Sequence, residues 1–148
     1  MGDLIVYVGI RAVAGFVATW GFAVLFNVPR QVTLYSALFG ALGIVVRTLL
    51  MRAGVSQEVA TFIAALIIGL SGFWVAHRLW MPRMIFTVTG IIPLIPGVPA
   101  YQVLLYFSQG DVLGGLASGV RAGLITGAIA LGLSGARIIT DFEQQAKP

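Results

Sequence analysis

Gly90-Ile91-Ile92-Pro93-Leu94-Ile95-Pro96-Gly97-Val98-Pro99-Ala100-Tyr101 decides how this chain is built. Three prolines fall within seven residues, inside an otherwise apolar stretch from Met84 to Phe107. Such a stretch can cross a bilayer, since about 20 apolar residues span the hydrocarbon. A proline lacks the N–H, and its ring clashes with the carbonyl four residues earlier. A continuous helix here would leave the carbonyls of Thr89, Ile92 and Ile95 without donors. One proline kinks a transmembrane helix; this cluster, with Gly97 inside it, unwinds it. Bare backbone at that depth is tolerated only where protein buries it or a watery cavity meets it. The expectation is a broken span whose second half-helix starts near Pro99, a residue suited to a first helical position. Its N–H groups and positive dipole end would face the gap and suit a carboxylate. Broken helices near the midplane recur in secondary transporters, so the gap reads as a substrate pathway in preference to a bare kink. Tyr101 would offer its hydroxyl from one side, and Thr87 and Thr89 theirs from the other.

Around the break, four more apolar stretches are punctuated by polar residues. The first span runs from about residue 4 to 26 and ends at the turn Asn27-Val28-Pro29-Arg30. The second covers 33–51 and stops at Arg52-Ala53-Gly54. Ser56 is a candidate N-cap for the third, 57–76, with Glu58 in its first turn. The broken fourth covers 84–107, and Asp111 caps the fifth, 112–139. The chain therefore reads as an all-α integral membrane protein, one transmembrane domain over 1–148 with about five helices. Composition agrees: mean hydropathy is +1.00, and charged residues make up 9%, against roughly 25% in soluble domains. The N-terminus has no basic start and no small-residue cleavage site, so the first span is expected to be retained and not removed as a signal peptide.

The net charge of +4 is scattered over span ends and forms no basic stripe, which argues against nucleic acid. With five spans, Arg30, Arg78, Arg83, Arg137 and Lys147 fall on one side, and Arg52 with Arg47 on the other. The positive-inside rule then puts the C-terminus in the cytoplasm. There is no cysteine and one histidine, His77. Thiolate and nucleophilic-cysteine chemistry are excluded, and no metal or cofactor is expected. Ser71 and Ser134 stand beside glycines but outside any Gly-x-Ser-x-Gly elbow. An enzyme is not expected.

Small residues follow helical spacing. Gly115, Gly119, Gly123 and Gly127 form a stripe on the fifth span, and Ala65, Gly69, Gly72 and Ala76 another on the third. Such stripes let neighbouring backbones approach, either within the bundle or against another subunit, so a homo-oligomer is one expectation. On the second span Ser36, Gly40, Gly43 and Arg47 share a face. An arginine one to two turns inside a span usually faces a polar interior. The alternative is that it snorkels to the interface; the small-residue face favours the interior. Arg11, among bulkier neighbours, reads as a snorkelling anchor.

Several stretches occur together in order: Gly21-Phe22-Ala23-Val24-Leu25-Phe26-Asn27-Val28-Pro29, then Arg47, then Thr61-Phe62-Ile63-Ala64. Phe86-Thr87-Val88, Ile92-Pro93-Leu94-Ile95-Pro96-Gly97 and Ala100-Tyr101 follow. Over roughly Gly21 to Phe107 the chain resembles the small, YjjB-like membrane subunit of the threonine/serine exporter family. The fifth span matches only in character, and the resemblance does not require proline at Pro99. The resemblance implies a bacterial inner-membrane exporter in two parts, completed by a larger YjjP-like subunit that some relatives carry fused. It implies threonine and serine as substrates in one branch and succinate-like dicarboxylates in another. By matching position it implies pathway roles for Asn27, Arg47, Pro93, Pro96, Gly97 and Tyr101. No Asp or Glu lies inside a predicted span, whereas proton relays usually use intramembrane Asp, Glu or His. A proton-coupling carboxylate is therefore expected on the partner. The competing expectation is a non-transporting scaffold that stabilises a larger transporter through its glycine stripes.

Overall fold

The computed structural model describes residues 2–145. Six α-helices follow one another: α1 (Gly2–Leu25), α2 (Arg30–Arg52), α3 (Gln57–Leu79), α4 (Met84–Gly90), α5 (Gly97–Ser108) and α6 (Val112–Gln145). A 3₁₀ turn, Ile92–Leu94, follows α4. No strand occurs among the described residues. α1, α2, α3 and α6 are each long and apolar enough to cross a membrane. α4 and α5 make a fifth crossing only if counted as one span, bent by 49°.

Local signals set the helix ends. α1 stops in a Schellman arrangement: the Val28 N–H donates to Ala23 O at 2.9 Å and the Asn27 N–H to Val24 O at 3.0 Å. This places Asn27 at φ 54°, a left-handed conformation that asparagine tolerates well. Pro29 precedes α2, so α2 begins at Arg30, earlier than the expected residue 33. The Ser56 hydroxyl accepts from Val59 N at 3.4 Å, and Asp111 Oδ1 accepts from Gly114 N at 2.9 Å. α3 runs three residues past its expected end, to a left-handed Trp80. α6 continues beyond Ile139, and there Asp141 is held at 2.9 Å by Arg83 and at 3.5 Å by Arg137.

The break departs from expectation in position. α5 begins at Gly97, and Pro99 is its third residue. The missing N–H costs nothing there, since first-turn donors have no intrahelical acceptor. The chain reverses instead at Pro96, whose φ of −77° and ψ of 59° make an inverse γ-turn. Gly97 N closes it on Ile95 O at 2.8 Å, and Ile95 N donates to Ile92 O at 3.2 Å. Two of the carbonyls expected to be stranded are thus satisfied by the turn itself.

Val32, Phe39, Ala64, Ile68, Phe86 and Leu94 form the core between α2, α3 and α4. Phe39 and Phe86 meet edge to face at 6.2 Å. Gly40 sits against Thr19 of α1, and Gly43 against Ile68. α3 and α6 close on each other at Gly132, where an added Cβ would stand 2.6 Å from Phe62 O. The two stripes divide in use. Gly69 of α3 meets Ala136 and Gly72 meets Thr87, whereas on α6 Gly115 lies under the Phe107 ring and Gly123 and Gly127 face open space.

α6 has 34 residues, about 51 Å at 1.5 Å per residue, against about 30 Å of hydrocarbon. Two polar rows frame the bundle. One contains Trp80, Arg83, Arg137 and Asp141; the other contains Tyr7, Arg52, Gln57 and Arg121. From Arg121 to Thr140 α6 rises about 29 Å, which matches the bilayer. The start of α6 and the second half of α5 therefore project past the second row, while the first half of α5 borders the same cavity as that row. α5 packs substantially on α6 alone. The eight arginines divide evenly: Arg11, Arg47, Arg52 and Arg121 at this end, and Arg30, Arg78, Arg83 and Arg137 at the other.

Gly132→Leu should lower stability by about 1–3 kcal/mol through overpacking, read as earlier thermal loss of the monodisperse detergent-solubilised protein. Gly127→Leu should melt like the parent. Asp141→Asn should shift melting little, because partly exposed ion pairs contribute little net stability.

Candidate substrate pathway

Leu94 ends the 3₁₀ turn, and its carbonyl faces α2 rather than a helical N–H of its own chain segment. Arg47 Nη1 donates to it at 3.3 Å. Arg47 lies five residues before the end of α2 and is half-buried. Its guanidinium is directed at the break, where it satisfies backbone that the prolines have freed.

Beside this contact opens a cavity of about 680 Å³ between α1, α2, the break, α5 and α6. Pro93, Pro96, Gly97 and Pro99 form one wall, and Thr48, Gln57 and Gln102 add neutral polar groups. Arg11, Arg47, Arg52 and Arg121 all line it, and no Asp or Glu does. Arg11 Nη2 donates to the Tyr7 hydroxyl at 2.9 Å. The Tyr7 ring carries two guanidiniums, Arg11 at 5.2 Å and Arg52 at 4.5 Å from its centroid. Arg121 Nη2 donates to Gln57 Oε1 at 2.8 Å. That partner is neutral, so the charge of Arg121 is held in place but not cancelled. Both ion pairs among the described residues lie at the opposite end, on Asp141.

The start of α5 contributes less than its dipole suggests. Gly97 N is spent on Ile95 O, Pro99 has no N–H, and Ala100 N donates to Pro96 O. Of the first-turn donors only the Val98 N–H stays open to an anion. The positive character of the cavity comes from arginine side chains. Such an arrangement suits a small anion, because guanidinium grips carboxylate in a planar fork.

The residues singled out from sequence divide by place. Arg47, Pro93, Pro96 and Gly97 line the cavity. Asn27 is at the far end, in the turn that closes α1. The Thr87 hydroxyl donates to Arg83 O at 3.2 Å and that of Thr89 to Ile85 O at 2.7 Å, so both are tied to α4's own backbone. Thr87 borders a separate groove of about 390 Å³ between α3, α4 and α6. Tyr101 is 64% exposed on the outer side of α5, while Gln102 beside it faces the cavity. Arg11, read from sequence as a snorkelling anchor, is exposed and also lines the cavity, one turn before Gly15, where α1 packs close to α2. Tyr7, Arg52, Gln57, Gln102 and Arg121 escaped the sequence reading. Arg121 carried a legible signal, since it lies within an apolar span among glycines just as Arg47 does.

Residues 11–139 match the family described as "Threonine/Serine exporter, ThrE". An uncharacterised protein of Haemophilus influenzae is 39% identical over 122 residues, covering 77% of this chain and 41% of that protein. The chain thus spans about two fifths of the length of this curated relative. No solved structure matches it. With the match running from the Arg11 turn of α1 through the break and across most of α6, the chain belongs to the threonine/serine exporter family.

Proposed function

We propose that this chain is the small subunit of a two-part exporter of small carboxylate-bearing metabolites in the bacterial inner membrane. The observation that carries the reading is the convergence of four arginines, without a lining carboxylate, on an unwound membrane segment. Family membership supports threonine and serine as cargo. The charge of the cavity also favours succinate-like dicarboxylates, whose two anionic ends would each find a guanidinium. For the ammonium group of an amino acid the lining offers no carboxylate, only Gln, Thr and Tyr side-chain oxygens and the backbone of the break. In this mechanism Arg47 holds the break open, and Arg11, Arg52 and Arg121 attract and orient the carboxylate. The Pro96 turn separates two short helices that can shift against each other without breaking further hydrogen bonds.

The second part is a larger YjjP-like subunit. The extra length of the Haemophilus relative, more than half of it outside the match, agrees with a family that uses more polypeptide than this chain supplies. Placing the C-terminus in the cytoplasm rests on Lys147, which lies outside the described residues, because the arginines divide evenly; a C-terminal reporter fusion decides it. The non-transporting scaffold is favoured by one observation, the open Gly123 and Gly127 face of α6.

Efflux of preloaded labelled threonine and succinate separates the two readings in cells that lack their own exporters. The cells express this chain, the larger subunit, or both. Efflux should require both. Arg47→Gln and Arg121→Gln should each reduce it about tenfold or more, the scale of a lost charged hydrogen bond, at unchanged membrane levels. Arg30→Gln, at the other end, should not. Normal efflux from the Arg47 and Arg121 variants would establish the scaffold.

A further inference from the structure

Past the polar row of Tyr7, Arg52, Gln57 and Arg121, α5 and the first turns of α6 form an apolar hairpin. On its outer side Val98, Tyr101, Leu104, Leu113, Leu116 and Val120 are 55% to 81% exposed. Their spacings, three residues apart on α5 and three then four on α6, put each set on one helical stripe. α6 alone rises about 51 Å, and its exposed apolar residues continue up to Leu113 in its first turn.

The hairpin is also a wall of the arginine cavity, because Val98, Pro99 and Gln102 of α5 and Arg121 of α6 line it. Whatever covers the hairpin therefore borders the cavity mouth. A second copy fits poorly. A two-fold pair sets the same patch against itself, and that would bring two sets of four arginines together. Like charges at an interface are strongly unfavourable. Complementarity calls instead for a chain that carries the missing negative charge.

We propose that the outer face of the α5–α6 hairpin docks a different polypeptide, which lays an apolar helix on the hairpin and sets an Asp or Glu side chain at the mouth of the arginine cavity. This deepens, and rests on, the two-part reading above. The carboxylate balances the guanidiniums while the site holds no substrate, and an anionic substrate competes with it for the same donors. The cavity of this chain is thus one half of a composite site.

The test is in-cell photo-crosslinking of the full chain in its own bacterium, with benzoylphenylalanine at Leu104, Leu116 or Val17. Val17 is an outward residue of α1 and serves as the control. Leu104 and Leu116 should each yield a product with a second polypeptide. Its cross-linked peptide, sequenced by mass spectrometry, should lie in an apolar helix that contains Asp or Glu, and Val17 should yield none. Arg121→Glu should cut the product about tenfold, and Arg52→Glu likewise, through like-charge repulsion. Exchanging the partner's acid for Arg should restore the product with Arg121→Glu, which separates charge pairing from misfolding. A product containing a second copy of this chain, a partner peptide without an acid, or full cross-linking with both charge reversals would overturn the proposal. A partner captured at Val17 and not at the hairpin would overturn this surface alone and leave the two-part reading standing. No product at any position would overturn both.

Discussion

The carbonyl of Leu94 has no helical donor, because the chain turns away at Pro96 before another N–H can reach it. An unpaired carbonyl at membrane depth costs several kcal/mol, and Arg47 supplies the donor at 3.3 Å. This single contact links α2 to the break that the Pro96 turn creates. The 49° bend, the projection of α5 away from the bundle and the cavity between them all follow from a helix that stops at this point. An arginine so placed is also less costly than an isolated one, since its charge is shared with a carbonyl and a polar cavity.

The two ends of the molecule handle charge in different ways. At one end Asp141 accepts from Arg83 and Arg137, and Arg83 also lies 5.9 Å from the Phe73 ring. These contacts, with exposed Trp80 nearby, resemble the interfacial belt that anchors membrane helices. At the other end four arginines line one cavity and are held by neutral groups: a tyrosine ring, a glutamine amide and a backbone carbonyl. Neutral partners orient a guanidinium without cancelling its charge.

Membership of the threonine/serine exporter family and the short span of the chain against its Haemophilus relative fit a division of labour. This chain contributes positive charge and an unwound segment. The two-part reading proposed above assigns the negative charge and the cover of the apolar hairpin to the partner. The same division is visible in the amino-acid sequence, where every acidic residue stands at or beyond a span end.

Much of this was legible in one dimension. Hydropathy located the spans to within a few residues, since lipid imposes a length on every crossing. Ser56 and Asp111 announced their helix starts, because capping is a local interaction between a side chain and the next turn. The proline cluster announced the break for the same reason: a missing N–H is a property of the residue itself. Arg47 was legible too, through its place on a small-residue face. What the residues could not disclose was rotation about each helix axis and the depth at which non-adjacent helices meet. Those depend on which ridges interlock, such as α1 with α2 at Gly15 and α3 with α6 at Gly132. Rotation set Arg11 beside the cavity and Tyr101 outward, and tied Thr87 and Thr89 to their own helix. Depth set Arg121 opposite Gln57, 64 residues away. Local chemistry thus determined where this chain breaks, and only tertiary packing decided which charges meet at the break.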